Sequence, residues 1–272
     1  MAKSDCKTAL VLGAIKGIGK AIAIELARRG VRLIVTYYDW PESLNAMHAD
    51  LRAAGADYLA IEINLLQTED IPGLIQQALR RFGRIDYLIN NIERGGWPVV
   101  HGPYNQAQWD LEQATTLRAK WWVFTHTLPY LKARPGSAVI NFSSIAGIVG
   151  RSGPAGYVFN DGYAAASRAT SLLTESWARQ AAPEARVNEI MLGLIETRHG
   201  PNTRGWGLLR PDQRQALRGH TLLGRTGTID DVVRAVTFLL FDAPFMTGAV
   251  LRLDGGYVLG GDCVPDMPAG VV

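Results

Sequence analysis

With 272 residues, 47% of them hydrophobic and 19% charged, and a mean hydropathy of +0.02, the chain is long enough to bury a substantial core and has the balance of a soluble globular protein. Its formal charge of +3 comes from 28 basic and 25 acidic residues mixed along the chain without a basic tract, which excludes nucleic acid and anionic membranes as expected partners. No apolar run reaches membrane-spanning length and the polar start MAKSDCK lacks the apolar core of a secretory signal, so a cytoplasmic protein is expected.

Short apolar runs rich in Val and Ile alternate with helical-period segments from the start. Thr8–Leu12 reads as a strand, Gly17–Arg29 as a helix closed by Gly30, and Arg32–Tyr37 as a strand. Pro41–Ala54 follows as a helix, Tyr58–Ile63 as a strand, Thr68–Phe82 as a helix that tolerates Pro72 only near its start, and Tyr87–Asn90 as a strand. In the second half, Leu111–Leu131 is a long helix, Ala138–Ser143 a buried strand, Tyr163–Ala181 a helix and Arg186–Met191 a strand. Thr228–Leu240 starts on a Thr228 cap with acidic Asp230 and Asp231 in its first turn, and Val250–Leu253 closes the sheet. This alternation predicts one α/β domain, a Rossmann-like doubly wound fold with a seven-stranded parallel sheet and helices on both faces. Residues 147–162, rich in glycine and proline, and residues 199–220, polar and arginine-rich around Trp206, read as candidate substrate loops or lids; the alternative is a pair of surface excursions.

Two cysteines, Cys6 and Cys263, lie near opposite ends and read as reduced thiols; the alternative is a bridge between them. The five histidines show no metal-ligand spacing, so no metal is expected.

The first strand runs into VLGAIKGIGKAIAIELARRG, where Gly13, Gly17 and Gly19 stand between a strand and a helix. In that context glycines allow a tight turn, close approach of a pyrophosphate and close packing of helix on strand, while the helix N-terminus offers N–H donors to phosphates. The alternative reading is a tight structural turn. An acidic residue ending the second strand would bind the ribose 2′-hydroxyl of NAD. Here Tyr37 and Tyr38 come first and Asp39 only later, and Lys16 in the glycine loop leans toward NADP over NAD; the alternative is a solvated loop lysine.

The glycine spacing G-x-x-x-G-x-G, Asn90-Asn91 after the fourth strand, NFSSIAG at 141–147, YAAAS at 163–167, LGLIET at 192–197 and TGAVLRLDGGY at 247–257 occur in the order found in the short-chain dehydrogenases/reductases, which the chain resembles over about residues 7 to 258. The resemblance implies binding of NAD or NADP and hydride transfer to or from a small or medium carbonyl or alcohol. It places Gly13, Lys16, Gly17, Ile18 and Gly19 at the cofactor phosphates, Tyr37 and Asn64 at the cofactor, Asn90 by the adenosine ribose, and Ile195 and Thr197 at the nicotinamide amide. Ser144 would orient the substrate oxygen and Tyr163 would pass the proton. It also implies a homo-oligomer, a tetramer or dimer, and Trp121 and Trp122 read as core or subunit-interface aromatics.

Departures from the pattern concentrate in the chemistry. The expected helix asparagine falls on Thr116 and the expected lysine on Ser167; Ile92-Glu93 replace small residues, and Leu12 and Leu192 stand where threonine and proline are usual. An unperturbed tyrosine is a phenolate in only about one molecule in a thousand at pH 7, and a nearby ammonium raises that fraction. Ser167 cannot supply the charge, so reduction, in which Tyr163 donates a proton, is favoured over oxidation. Arg168 lies about 140° around the helix from Tyr163, against about 40° for position 167, and should face elsewhere. Lys120, four residues after Thr116, could reach the site from the same helix face, or be a solvated lysine. Glu93 could repel or crowd the cofactor. Tyr157, 13 residues after Ser144, competes with Tyr163, 19 after it, but Tyr163 opens the helix with the alanine run. Arg198, Arg204 and Arg210 could hold an anionic substrate or be solvated. An alternative from another class is a catalytically silent binding or assembly subunit of the same fold; redox-free chemistry at the Ser/Tyr pair would call for arginine at 167.

Overall fold

A computed structural model describes residues 6–93, 105–197, 204–262, 264 and 267. Seven strands, β1 (Thr8–Val11), β2 (Arg32–Tyr37), β3 (Tyr58–Glu62), β4 (Tyr87–Asn90), β5 (Ser137–Ser144), β6 (Ala185–Leu192) and β7 (Val250–Leu253), pair in parallel in the order β3-β2-β1-β4-β5-β6-β7. The order reverses between β1 and β4, and the crevice beyond the carboxyl ends of those strands is where such sheets take ligands.

Strand periodicity decides which helices cover which face. Ala9 and Val11 of β1 point into one core with Leu33, Val35 and Ile140, beneath helices α1 (Gly17–Arg28) and α2 (Leu44–Ala53). Their neighbours Leu10 and Leu12 point into the opposite core with Ile34, Leu88 and Val139, beneath α3 (Ile71–Phe82). The second face is completed by a long helical run. Its first part, α4 (Gln106–Glu112), passes through a wide π turn at Gln113–Arg118 into α5 (Ala119–Lys132), whose Phe124 ring stacks at 4.3 Å on Trp177.

Most elements fall within a few residues of the sequence expectation, and the larger differences have local causes. The long helix starts at Gln106 rather than Leu111 because Asn105 and Gln108 form a reciprocal capping box. After the short α6 (Ala146–Val149), helix α7 (Asp161–Ala181) starts two residues before Tyr163, since the Asn160 carboxamide accepts the Tyr163 N–H at 2.8 Å. The stretches 147–162 and 199–220 are not featureless. Besides α6 they carry a 3₁₀ turn at Gly153–Tyr157, α8 (Arg204–Leu208) and α9 (Pro211–His220), and they send Ala155, Phe159, Trp206 and Leu217 into a third apolar cluster around Tyr163 and Tyr257. Residues 199–203 lie outside the described residues. The first face is finished by α10 (Ile229–Thr237), which begins on the expected Thr228 cap.

Candidate active site

The turn from β1 into α1 is built from backbone packed against backbone. Gly13 has φ +65°, and a Cβ there would lie 2.6 Å from the Asn91 carbonyl oxygen. A Cβ on Gly19 would lie 2.3 Å from the Gly13 carbonyl oxygen and 2.7 Å from Asn91 Nδ2. Both positions therefore exclude every side chain. Thr36 Oγ1 accepts the Gly13 N–H at 3.2 Å, and Asn91 Nδ2 donates to the Leu12 and Gly13 carbonyls at 3.3 and 3.4 Å. The α1 N-terminus has no side-chain cap and no acid in its first turn. Its N–H groups and positive dipole end thus remain for an anion, so the turn fits a dinucleotide's pyrophosphate. Across the turn, Thr197 Cγ2 lies 3.9 Å from a Cβ built on Gly17, so the segment after β6 faces the glycine loop.

Around the turn, exposed Lys16 lies with Nζ 2.9 Å from the centre of the Trp40 ring, and Tyr37 is half-buried while Tyr38 and Asp39 are exposed. Asn64 folds back on its own loop, accepting the Leu66 N–H at 3.1 Å. Asn90 is fully buried and donates to Asn141 Oδ1 at 3.2 Å. Ile195 is buried, and its segment forms a parallel bridge to Gly227.

At the other side of the crevice, β5 ends at Ser144, whose Oγ accepts the Ala146 N–H at 3.1 Å and so turns the chain into α6. This short helix lies tight on α7, because a Cβ on Gly147 would sit 2.8 Å from the Arg168 backbone nitrogen. Tyr163 is 5% exposed, and its hydroxyl donates to Glu93 Oε2 at 2.9 Å; Tyr157, by contrast, is 38% exposed. The start of α7 is pinned from the long helix, since Asn160 Nδ2 donates to buried Glu112 at 2.7 Å and Gln113 Nε2 donates to the Gly162 carbonyl at 2.9 Å.

The positions where the resemblance expected asparagine and lysine are both buried hydroxyls. Thr116 Oγ1, in the π turn, and Ser167 Oγ have no hydrogen-bond partner among the described residues. Arg168 is exposed, as its angular position required. Lys120 is not a solvated lysine: it is 1% exposed and donates from Nζ to the Phe142 carbonyl at 2.5 Å. Desolvation pulls its ammonium down to about 8, against an upward pull from Glu93 and Glu189. Glu189 is itself fully buried in β6, accepting from Ser143 and, at 2.9 Å, from Ser171; burial pushes its carboxyl above the ordinary carboxylate range.

Sequence reasoning named Glu93 only as an obstacle and missed Glu189, Asn160 and Glu112. Glu189 carried a signal, since a carboxylate inside the apolar run RVNEIML of a central strand is rarely buried without a purpose. Of the three arginines, Arg210 is exposed and paired to Asp212 at 2.8 Å, while Arg198 and the Arg204 side chain lie outside the described residues, as does Cys263. Trp121 is 40% exposed and meets Trp122 edge-on at 4.7 Å between ring centres. Among the described residues, no cluster of three metal-ligating side chains occurs and no helix is long and apolar enough to cross a membrane.

A parallel sheet reversing at β1 and β4, with a glycine turn at the reversal and a buried tyrosine across the crevice, defines a dinucleotide-fold oxidoreductase scaffold. A sequence model described as enoyl-(acyl carrier protein) reductase matches residues 13–258. The chain is 30% identical over 255 residues to a 3-oxoacyl-(acyl-carrier-protein) reductase of Staphylococcus aureus, covering 92% of this chain and 97% of that one. It is 33% identical over 287 residues to a probable short-chain type dehydrogenase/reductase of Bradyrhizobium diazoefficiens, covering 99% and 96%. Among solved structures, a double mutant of a Serratia marcescens short-chain dehydrogenase/reductase superposes with a TM-score of 0.79 at 25% identity, over 93% of this chain and 98% of that one. The chain belongs to the short-chain dehydrogenase/reductase family, whose members of this type are NAD(P)-dependent reductases and dehydrogenases.

Proposed function

We propose that this protein is an NAD(P)-dependent oxidoreductase of a small or medium carbonyl compound, with Tyr163 passing the proton and Ser144 orienting the substrate oxygen. The observation that carries the reading is the Tyr163 hydroxyl, buried and held 2.9 Å from Glu93, on a segment whose Asn91 is tied to the glycine turn. Gly13, Lys16, Gly17, Ile18 and Gly19 hold the cofactor phosphates, Tyr37, Asn64 and Asn90 its adenosine side, and Ile195 and Thr197 its nicotinamide amide. When bound, the nicotinamide supplies or accepts the hydride. The engagement of Glu93 with Tyr163 supports its lying clear of the phosphate path, which lifts the objection its charge raised.

Lys16, exposed beside the turn, favours NADP over NAD. A homo-oligomer, tetramer or dimer, is supported by Trp121 on α5 and Leu172 on α7, which are 40% and 66% exposed. The testing experiment is a titration with NADPH and NADH, read by quenching of the tryptophans and energy transfer to the reduced nicotinamide, followed by a panel of ketones and aldehydes. Saturable binding with turnover is expected. Absence of binding by either cofactor would leave the silent-subunit alternative in its place.

A further inference from the structure

Three ionisable side chains from three elements are bonded to Tyr163 or to the end of β5. Glu93, just after β4, accepts from the Tyr163 hydroxyl at 2.9 Å. Lys120 comes up from α5 to the Phe142 carbonyl, and Glu189 comes across from β6 to the Ser143 hydroxyl, so the ammonium and the second carboxylate grip adjacent residues of β5, immediately before Ser144. Lys120 and Glu189 are fully buried, and Lys120 is attracted to both carboxylates. Such an ammonium has left water at a cost that only nearby negative charge and hydrogen bonds offset. Among the described residues, Glu93 and Glu189 are the charged groups acting on it.

We propose that Glu93 is the proton partner of Tyr163, taking the phenolic proton when an alcohol is oxidised and returning it when a carbonyl is reduced, with Lys120 as a positioning cation that acts through Glu93. The inference rests on the oxidoreductase reading and deepens it.

In the oxidising direction the alcohol O–H breaks and its proton goes to the Tyr163 oxygen, while the Tyr163 O–H breaks and its proton goes to Glu93 Oε2. Glu93, which is only half-buried, then exchanges that proton with water. In the reducing direction each transfer reverses. Only protons move along this path, one in and one out; the electron pair belongs to the nicotinamide step. The arrangement replaces the function that a cation at position 167 would serve. A carboxylate acceptor spares the enzyme its dependence on the phenolate, present in about one tyrosine in a thousand at pH 7. The bias toward reduction expected of a lone neutral phenol is therefore lifted, and both directions are open.

The test starts without substrate. Phenol ionisation of the full-length protein is followed by ultraviolet difference absorption in wild type, Glu93→Gln and Tyr163→Phe, the transition lost in Tyr163→Phe being that of Tyr163. Glutamine keeps an acceptor for the hydroxyl but removes the negative charge while Lys120 stays. The Tyr163 transition is expected to move down by about one pH unit or more in Glu93→Gln, and to move back up when Lys120→Met is added. With the NADPH-bound protein and the ketone or aldehyde turned over best, Glu93→Gln is expected to lower kcat about tenfold or more with KM little changed, and formate to restore part of the kcat of Glu93→Ala. An unmoved tyrosine transition, or an undiminished kcat in Glu93→Gln, with cofactor binding intact, would overturn this inference and leave the oxidoreductase reading standing. Wild type that binds neither NADPH nor NADH would overturn both.

Discussion

The two sides of the crevice are built on different principles. On the β1–α1 side the constraints are backbone constraints: Gly13 and Gly19 leave no room for a Cβ, and a neighbouring asparagine clips the turn. On the β5–α7 side the constraints are side-chain constraints. Position 167 holds a buried hydroxyl, while a buried ammonium on a different helix reaches β5 and is drawn to two carboxylates. A steric requirement is tied to one place in the chain, whereas a charge acts over several ångströms in a low-dielectric interior and can be supplied from any element that faces the spot. The glycine turn thus depends on residues in their places, while the charge across the crevice need not sit at position 167.

The sharpest way to break this contrast is at the tyrosine. Tyr163→Phe removes one oxygen and keeps the ring that packs in the third cluster, so the fold should survive, but carbonyl turnover should fall by about 10²- to 10⁴-fold, the usual worth of a positioned proton donor. NADPH binding should be nearly unchanged. Activity retained within a few-fold would remove Tyr163 from the chemistry, and with it the side-chain half of the comparison.

Next in size is the cost of the buried ammonium. Lys120 has a folded pKa of about 8, below the 10.5 of an ordinary lysine, so between these values the unfolded chain binds more protons than the native one and stability rises with pH. The burial penalty is complete below about pH 8 and is relieved above it. At about 1.4 kcal/mol per pH unit it is on the order of 3 kcal/mol. Lys120→Met should therefore be more stable than wild type at pH 7, and the difference should shrink toward pH 10, as denaturant unfolding at several pH values would measure. A variant less stable at pH 7 would mean that the ammonium is a net stabiliser, held by its carboxylates more strongly than burial opposes it.

Gly19→Ala probes the backbone side. Its methyl would meet the Gly13 carbonyl at 2.3 Å, and overpacking of this kind costs about 1–3 kcal/mol. If the turn yields rather than the helix, the loss appears as NADPH binding weaker by about tenfold or more, measured in the same fluorescence titration. A substitution that leaves affinity and thermal stability unchanged would show that the close approach is not a constraint.

The contrast also explains what could be read from the sequence. The inner strands and the glycine turn were legible because burial on both faces forces apolar runs, and because a Cβ-free position admits one residue; Arg32–Tyr37 and Tyr87–Asn90 have the expected bounds, as has the more exposed edge strand Val250–Leu253. Tyr163 was legible through its helix, although the Asn160 cap that sets its register was not weighed. The pairing of Tyr163 with Glu93 was hidden because 70 residues separate them and only the packed crevice joins them. Lys120 gave a partial signal: its face followed from helical spacing, but its burial depended on a carboxylate in β6 that no local pattern connects to it.

The smallest expected effect sits at a charged side chain beside the glycine turn. Lys16 is exposed, and its ammonium rests on the Trp40 ring at 2.9 Å from the centre, a contact of about 0.5–1 kcal/mol that keeps the charge beside the end of β2. An exposed cation meeting a phosphate gains little in water, about 0–1 kcal/mol, and less as salt rises. Lys16→Ala should therefore weaken NADPH binding by about three- to fivefold at low salt, spare NADH, and lose this discrimination as ionic strength increases. Trp40→Ala should act in the same direction and more weakly, because it loosens the ammonium without deleting it. Equal losses for NADPH and NADH would assign Lys16 to the shared pyrophosphate instead of the 2′-phosphate. No loss for either would leave cofactor recognition on this side to the backbone alone, and preference between the two nicotinamides would then have to come from Tyr37, Tyr38 and Asp39.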